Sequence, residues 1–134
     1  METKFNFNTI GLFTTDNARM VAFYRDIMEF ETDWDGKEPN VTMRLGSMWL
    51  ILFPRTAFEQ MTGQEYSYLK GLNGTVELAF HVPTFSDVDE EYLRVTALGA
   101  KSVFASQTMP WGQRTCYISD PEGNLIEIHS FTKG

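Results

Sequence analysis

One order of strands and a helix occurs twice in this chain, and a repeated unit constrains the fold more than any single motif does. Phe5 to Phe13 alternates in the manner of a strand, and Thr14-Thr15-Asp16 then offers N-cap residues to a helix carrying Met20, Val21, Phe23, Tyr24, Ile27 and Met28. Three more strands are predicted at Phe30 to Asp35, Val41 to Leu45 and Met48 to Phe53, with turns near Asp35-Gly36-Lys37 and Gly46-Ser47. From Thr75 the order starts again. Val76 to Val82 reads as a strand, and Ser86 caps a helix with Val88, Tyr92, Leu93, Val95 and Leu98, which Gly99 ends. Strands at Ser102 to Ser106, Arg114 to Ser119 and Leu125 to His129 follow. The period is about 70 residues. The prediction is an α+β fold of two tandem β-α-β-β-β modules, 5–54 and 75–131, with a linker over 55–74 that includes a helical turn at Arg55 to Met61, all in a single domain of 134 residues.

A four-stranded sheet with one helix has one covered face, so its second face needs a further sheet or a ligand. A cupped mixed sheet lined by those second faces is the expected result. On the first strand, parity sends Ile10 and Leu12 to the helix and leaves Thr9, Gly11 and Phe13 toward the cup. On the fifth, Val76, Leu78 and Phe80 pack inward, while Glu77, Ala79 and His81 line the cup. In Asp120-Pro121-Glu122-Gly123-Asn124, the Asp side chain bonds forward, Pro presets φ and Gly supplies the left-handed conformation that closes a hairpin. On the strand after that turn, Ile126 and Ile128 point to one face, and Leu125, Glu127 and His129 to the other.

Glu77 and Glu127 therefore share one surface. Two acids on facing strands raise each other's proton affinity, which is how a base near neutrality can be made, so both are candidate catalytic residues, with membership of a structural polar network as the alternative. His81 and His129 lie near strand ends and rank below them. Trp111, in a loop between Pro110 and Gly112, is the leading candidate to stack on a planar ligand, with Phe13 and Tyr117 as further flat surfaces. Gln113 supplies neutral hydrogen bonding, and Arg114 is a partner for an anionic ligand or for Glu127. Cys116 reads as a small buried hydrophobe in preference to a nucleophile.

Eighteen acids against eleven bases give a formal charge of −7, and no basic cluster offsets it, so nucleic acid is excluded as an expected partner. One cysteine makes no intramolecular disulfide, and the residues up to Asn8 have neither a long apolar run nor a cleavage pattern. No stretch approaches the ~20 apolar residues of a membrane helix. The expectation is a cytoplasmic protein with no membrane partner. Phosphate-cradling glycine loops, serine elbows and Cys-x-x-Cys pairs are absent from the sequence.

Phe23-Tyr24, Leu98-Gly99-Ala100, Trp111-Gly112-Gln113-Arg114 and the run from Asp120 to Glu127 together resemble the vicinal oxygen chelate superfamily, the group of glyoxalase I, extradiol dioxygenases and bleomycin resistance proteins. The similarity covers the chain from Phe5 to Phe131. It implies a homodimer, and it implies metal-ligand positions that fall on Thr9, Leu52, Glu77 and Glu127, only two of which keep a strong ligand. His81, two residues beyond Glu77, completes a displaced Glu/His set if the strands are shifted. Two functions follow from the resemblance. One is a bleomycin-resistance-like module binding a small organic molecule without a metal. The other is a lactoylglutathione lyase-like or dioxygenase-like enzyme with one divalent ion, nickel, zinc, manganese or iron, held by Glu77, Glu127 and His81.

Overall fold

The computed structural model describes residues 2–134 and divides into two compact units, Met1–Ser67 and Tyr68–Gly134. The architecture is α+β, with one mixed sheet in each unit.

In the first unit, strand β1 (Thr9–Thr14) lies parallel to β3 (Met48–Pro54), and β2 (Val41–Leu45) pairs with β3 antiparallel, in the order β1-β3-β2. Asp16 caps helix α1 (Asn17–Ala22) by accepting from the Arg19 N–H, and the chain then widens into a π-helical turn over Phe23–Ile27 where a regular helix through Met28 was expected. Tyr24, fully buried within that turn, meets Phe23 and Phe30 edge-on. Met20, Val21, Met43, Leu50 and Leu52 complete the core. Burying a side chain of this size stabilises by about 1.5–3 kcal/mol.

The strand expected over Phe30 to Asp35 is reduced to a single bridge between Glu31 and Arg44. Side chains take over the backbone pairing there: Thr32 Oγ1 donates to the Thr42 carbonyl and accepts from the Trp34 N–H, and Asp35 accepts from the Lys37 N–H. Helix α2 (Arg55–Thr62) follows β3 directly and ends at Gly63 in the left-handed conformation.

In the second unit, β4 (Asn73–His81) runs parallel to β7 (Asn124–Ser130), which is antiparallel to β6 (Arg114–Ser119), itself antiparallel to β5 (Lys101–Thr108). Helix α3 (Phe85–Ala97) packs on β5, β6 and β7. Its cap is Thr84, not Ser86: Thr84 Oγ1 accepts from the Asp87 N–H while Asp87 accepts from the Thr84 N–H, a reciprocal box that Ser86 is too far along to make. Val88, Val95, Cys116, Ile118 and Ile126 are fully buried between helix and sheet, and burial pushes the Cys116 thiol up to about 11. Val76 was expected inward and is exposed, because the pairing of β4 with β7 shifts register between Asn73 and Glu77. Among the described residues, no helix is long and apolar enough to cross a membrane.

Candidate functional site

The β6–β7 turn fixes what the second sheet displays. Asp120 Oδ1 accepts from the N–H groups of Glu122 (2.9 Å) and Asn124 (3.0 Å), and Oδ2 accepts from Asn124 Nδ2 at 2.8 Å. Gly123 sits at φ +91°, and a Cβ on it would stand 2.0 Å from the Gly71 carbonyl oxygen, so both the turn and the close passage of β4's leading segment require glycine. The resulting register sets Tyr117 opposite Glu127 and Thr115 opposite His129, while parallel β4 sets His81 beside His129.

Glu127 is 7% exposed, and its Oε2 accepts three hydrogen bonds, from Thr115 Oγ1 at 2.6 Å, Tyr117 Oη at 3.1 Å and Gln113 Nε2 at 3.2 Å. Bonds to a charged group are worth about 1.5–3 kcal/mol each, which is how a carboxylate is kept away from water at tolerable cost. Behind Gln113 stands Trp111, whose Nε1 donates to Gln113 Oε1 at 2.8 Å while the ring stays 63% exposed.

Glu77 is an exposed residue whose carboxyl leans toward Glu127 and Tyr117. Partial loss of water around that carboxyl, and then the neighbouring Glu127, push its proton affinity up, while the Tyr117 hydroxyl and His129 pull the other way. Burial and the same two acids hold the Tyr117 hydroxyl in its protonated form, as a donor.

The remaining sequence candidates fall elsewhere. Arg114 donates to Asp89 of α3 at 2.8 Å and to Thr108 Oγ1 at 2.9 Å, because alternation along β6 sends it to the helix face while Gln113, Thr115 and Tyr117 face the other way. His81 and His129 meet each other edge-on with ring centroids 5.8 Å apart. Phe13 belongs to the first unit, against Phe58 at 4.4 Å and Phe53 at 6.4 Å. Thr115, the shortest contact to Glu127, was not singled out from the sequence, although the turn carries the signal. Residues equidistant from Glu122 pair across the hairpin, so Tyr117 faces Glu127, and Thr115 lies two positions along the same face.

The residues present do not fit a resident transition metal. Leu52 is an apolar, fully buried core residue of the first unit, and Thr9 there is exposed with its hydroxyl donating to Asn8. In the second unit the acids Glu77 and Glu127 gain no third ligand: among the described residues no group of three or more His, Cys, Asp or Glu is placed to hold an ion. Two carboxylates, one of them with an oxygen occupied by three donors, make a weak site for such a metal.

Residues 6–128 match the sequence model of the Glyoxalase/Bleomycin resistance protein/Dioxygenase superfamily. Uncharacterized protein YraH of Bacillus subtilis (strain 168) is 28% identical over 123 residues, covering 90% of this chain and 94% of that protein. Among solved structures, a glyoxalase/bleomycin resistance protein/dioxygenase from Nocardioides superposes with a TM-score of 0.85 at 19% identity, over 100% of this chain and 88% of the other. Lactoylglutathione lyase from Agrobacterium tumefaciens superposes with a TM-score of 0.74 at 23% identity, over 93% and 92%. At these identities the likeness to the solved structures is one of fold.

Proposed function

We propose, from the premise that this chain belongs to the glyoxalase/bleomycin resistance protein/dioxygenase superfamily, that it binds a small organic molecule carrying a hydrogen-bond-donating head, such as an amine, next to a flat ring, and does so without a metal. The observation that carries this reading is Glu127. Three internal donors converge on its Oε2, and Glu77 stands beside it as a second acid, so a donor from the ligand meets two carboxyl groups there. An anionic head would face two acids there and be repelled. The exposed Trp111 ring supplies a rigid flat surface, and an amine close to it gains a cation–π contribution of about 0.5–1 kcal/mol. Members of the superfamily typically bind small molecules and are often dimers, and a homodimer is part of this reading.

The test is tryptophan fluorescence with 1-naphthylmethylamine and its anionic counterpart 1-naphthoate, using Trp111→Phe to isolate the signal, alongside the metal content of protein purified without chelators. The amine quenches Trp111 saturably, the carboxylate does not, and Glu127→Ala abolishes the response. Near-stoichiometric metal that Glu127→Ala loses, or turnover of a glutathione hemithioacetal, would replace this reading with the metal-dependent lyase. Sedimentation at micromolar concentration checks the dimer.

A further inference from the structure

We propose that Gln113 is a positioning residue that ties the orientation of the Trp111 ring to the Glu127 carboxylate, so that the flat surface and the charge of the site are set together. An indole N–H can only donate and an ionised carboxylate can only accept, and the primary amide between them has one group for each. Its orientation is therefore fixed from both ends: Oε1 toward Trp111 at 2.8 Å and Nε2 toward Glu127 at 3.2 Å. Glutamate at this position would fail at the Glu127 end, and lysine at the Trp111 end.

The loop enforces the arrangement. Met109 N–H donates to the Gln113 carbonyl at 2.7 Å and Gly112 N–H to the Met109 carbonyl at 3.0 Å, with Gly112 at φ +85°, so Trp111 and Gln113 rise from one tight turn between β5 and β6. A ring 63% exposed is held little by packing, and this hydrogen bond is what selects its orientation. A ligand donor that engages Glu127 then acts on the ring through Gln113, and a group stacked on the ring acts back on Glu127 by the same amount. The ligand half of this inference rests on the binding reading above; the tie itself needs no ligand.

The experiment is carbon-13 NMR of glutamate-labelled full-length protein, following the Glu127 side-chain carboxyl resonance, assigned by its loss in Glu127→Gln. Trp111→Phe keeps an aromatic ring and removes the N–H; it displaces the Glu127 resonance, whereas Trp49→Phe does not. In a Gln113→Leu background the response to Trp111→Phe disappears, which a ring-current effect alone would not do. With binding read from the fluorescence of the naphthyl probe itself, since Trp111→Phe removes the indole signal, Trp111→Phe and Gln113→Leu each weaken binding by about three- to tenfold, and the double variant is no weaker than Gln113→Leu. A Glu127 resonance indifferent to Trp111→Phe, or one that still responds to it without Gln113, overturns the tie, and probe binding would then stand alone. A displaced resonance with no probe binding upholds the tie and overturns the binding reading.

Discussion

Replacing Thr115 by valine removes the shortest hydrogen bond to Glu127 while keeping the side-chain shape. Thr115 is 3% exposed and its hydroxyl lies 2.6 Å from Oε2. A bond to a charged acceptor is worth about 1.5–3 kcal/mol. Two terms reduce the loss. Glu127 keeps the donors Tyr117 and Gln113, so it is not left bare, and the added methyl group is apolar in a buried position that suits β-branching. The net expectation is a destabilisation of about 1–2 kcal/mol, or a fall in Tm of about 3–7 °C for a chain of this size. Equilibrium urea unfolding at neutral pH measures it, with an unchanged m-value required to assign the difference to the native state. Thr115→Ser keeps the hydroxyl and deletes only a buried methyl group, a packing cost of about 0.5–1.5 kcal/mol. The reasoning is refuted if Thr115→Val unfolds at the wild-type midpoint.

Three other variants probe the remaining features. Because the folded proton affinity of Glu77 lies above its unfolded value, the folded state binds the extra proton, and stability is lost as pH rises upward from about 4.5, the ordinary value; Glu77→Gln should flatten that decline and raise the Tm at pH 7, and an unaltered thermal profile between pH 4 and 8 contradicts it. Gly123→Ala meets both a left-handed backbone and a carbonyl oxygen 2.0 Å away, for a cost above about 2 kcal/mol in urea unfolding, and a near-neutral result would show that the turn and the Gly71 segment can separate cheaply. Arg114→Ala breaks a partly exposed pair with Asp89, costs about 0.5–1 kcal/mol that shrinks in high salt, and leaves amine binding unchanged because the guanidinium is on the helix face; weakened binding would contradict that placement.

Much of this protein is legible in its sequence where local chemistry and periodicity agree. The Asp120 to Asn124 turn, the bounds of β6 and the burial of Ile126 and Ile128 all follow from residue type and alternation. Disagreement arises where side chains compete with backbone pairing. Thr32 and Asp35 dissolve the strand expected after Phe30, and a register shift in β4 turns Val76 outward, neither of which a strict two-residue period contains. The helix cap expected at Ser86 is made instead by Thr84, and the acid three residues after Thr84 is the signal that marks it. At the site, parity placed Glu77 and Glu127 on one face, while Tyr117 stood only as a flat surface for a ligand. It did not single out Thr115, nor the use of Gln113 as a link, because which partner a polar side chain selects depends on distances within a few tenths of an ångström.

The solitary, fully buried thiol of Cys116 makes the second unit its own clock. A thiol reagent can reach that sulfur only when the sheet parts from α3, so at low reagent concentration the rate of modification reads the opening equilibrium, and at high concentration it reads the opening rate itself. With no competing cysteine in the chain, a colorimetric trace reports how often this one packed layer breathes, and substitutions in the network around Glu127 can be ranked by how much they quicken it.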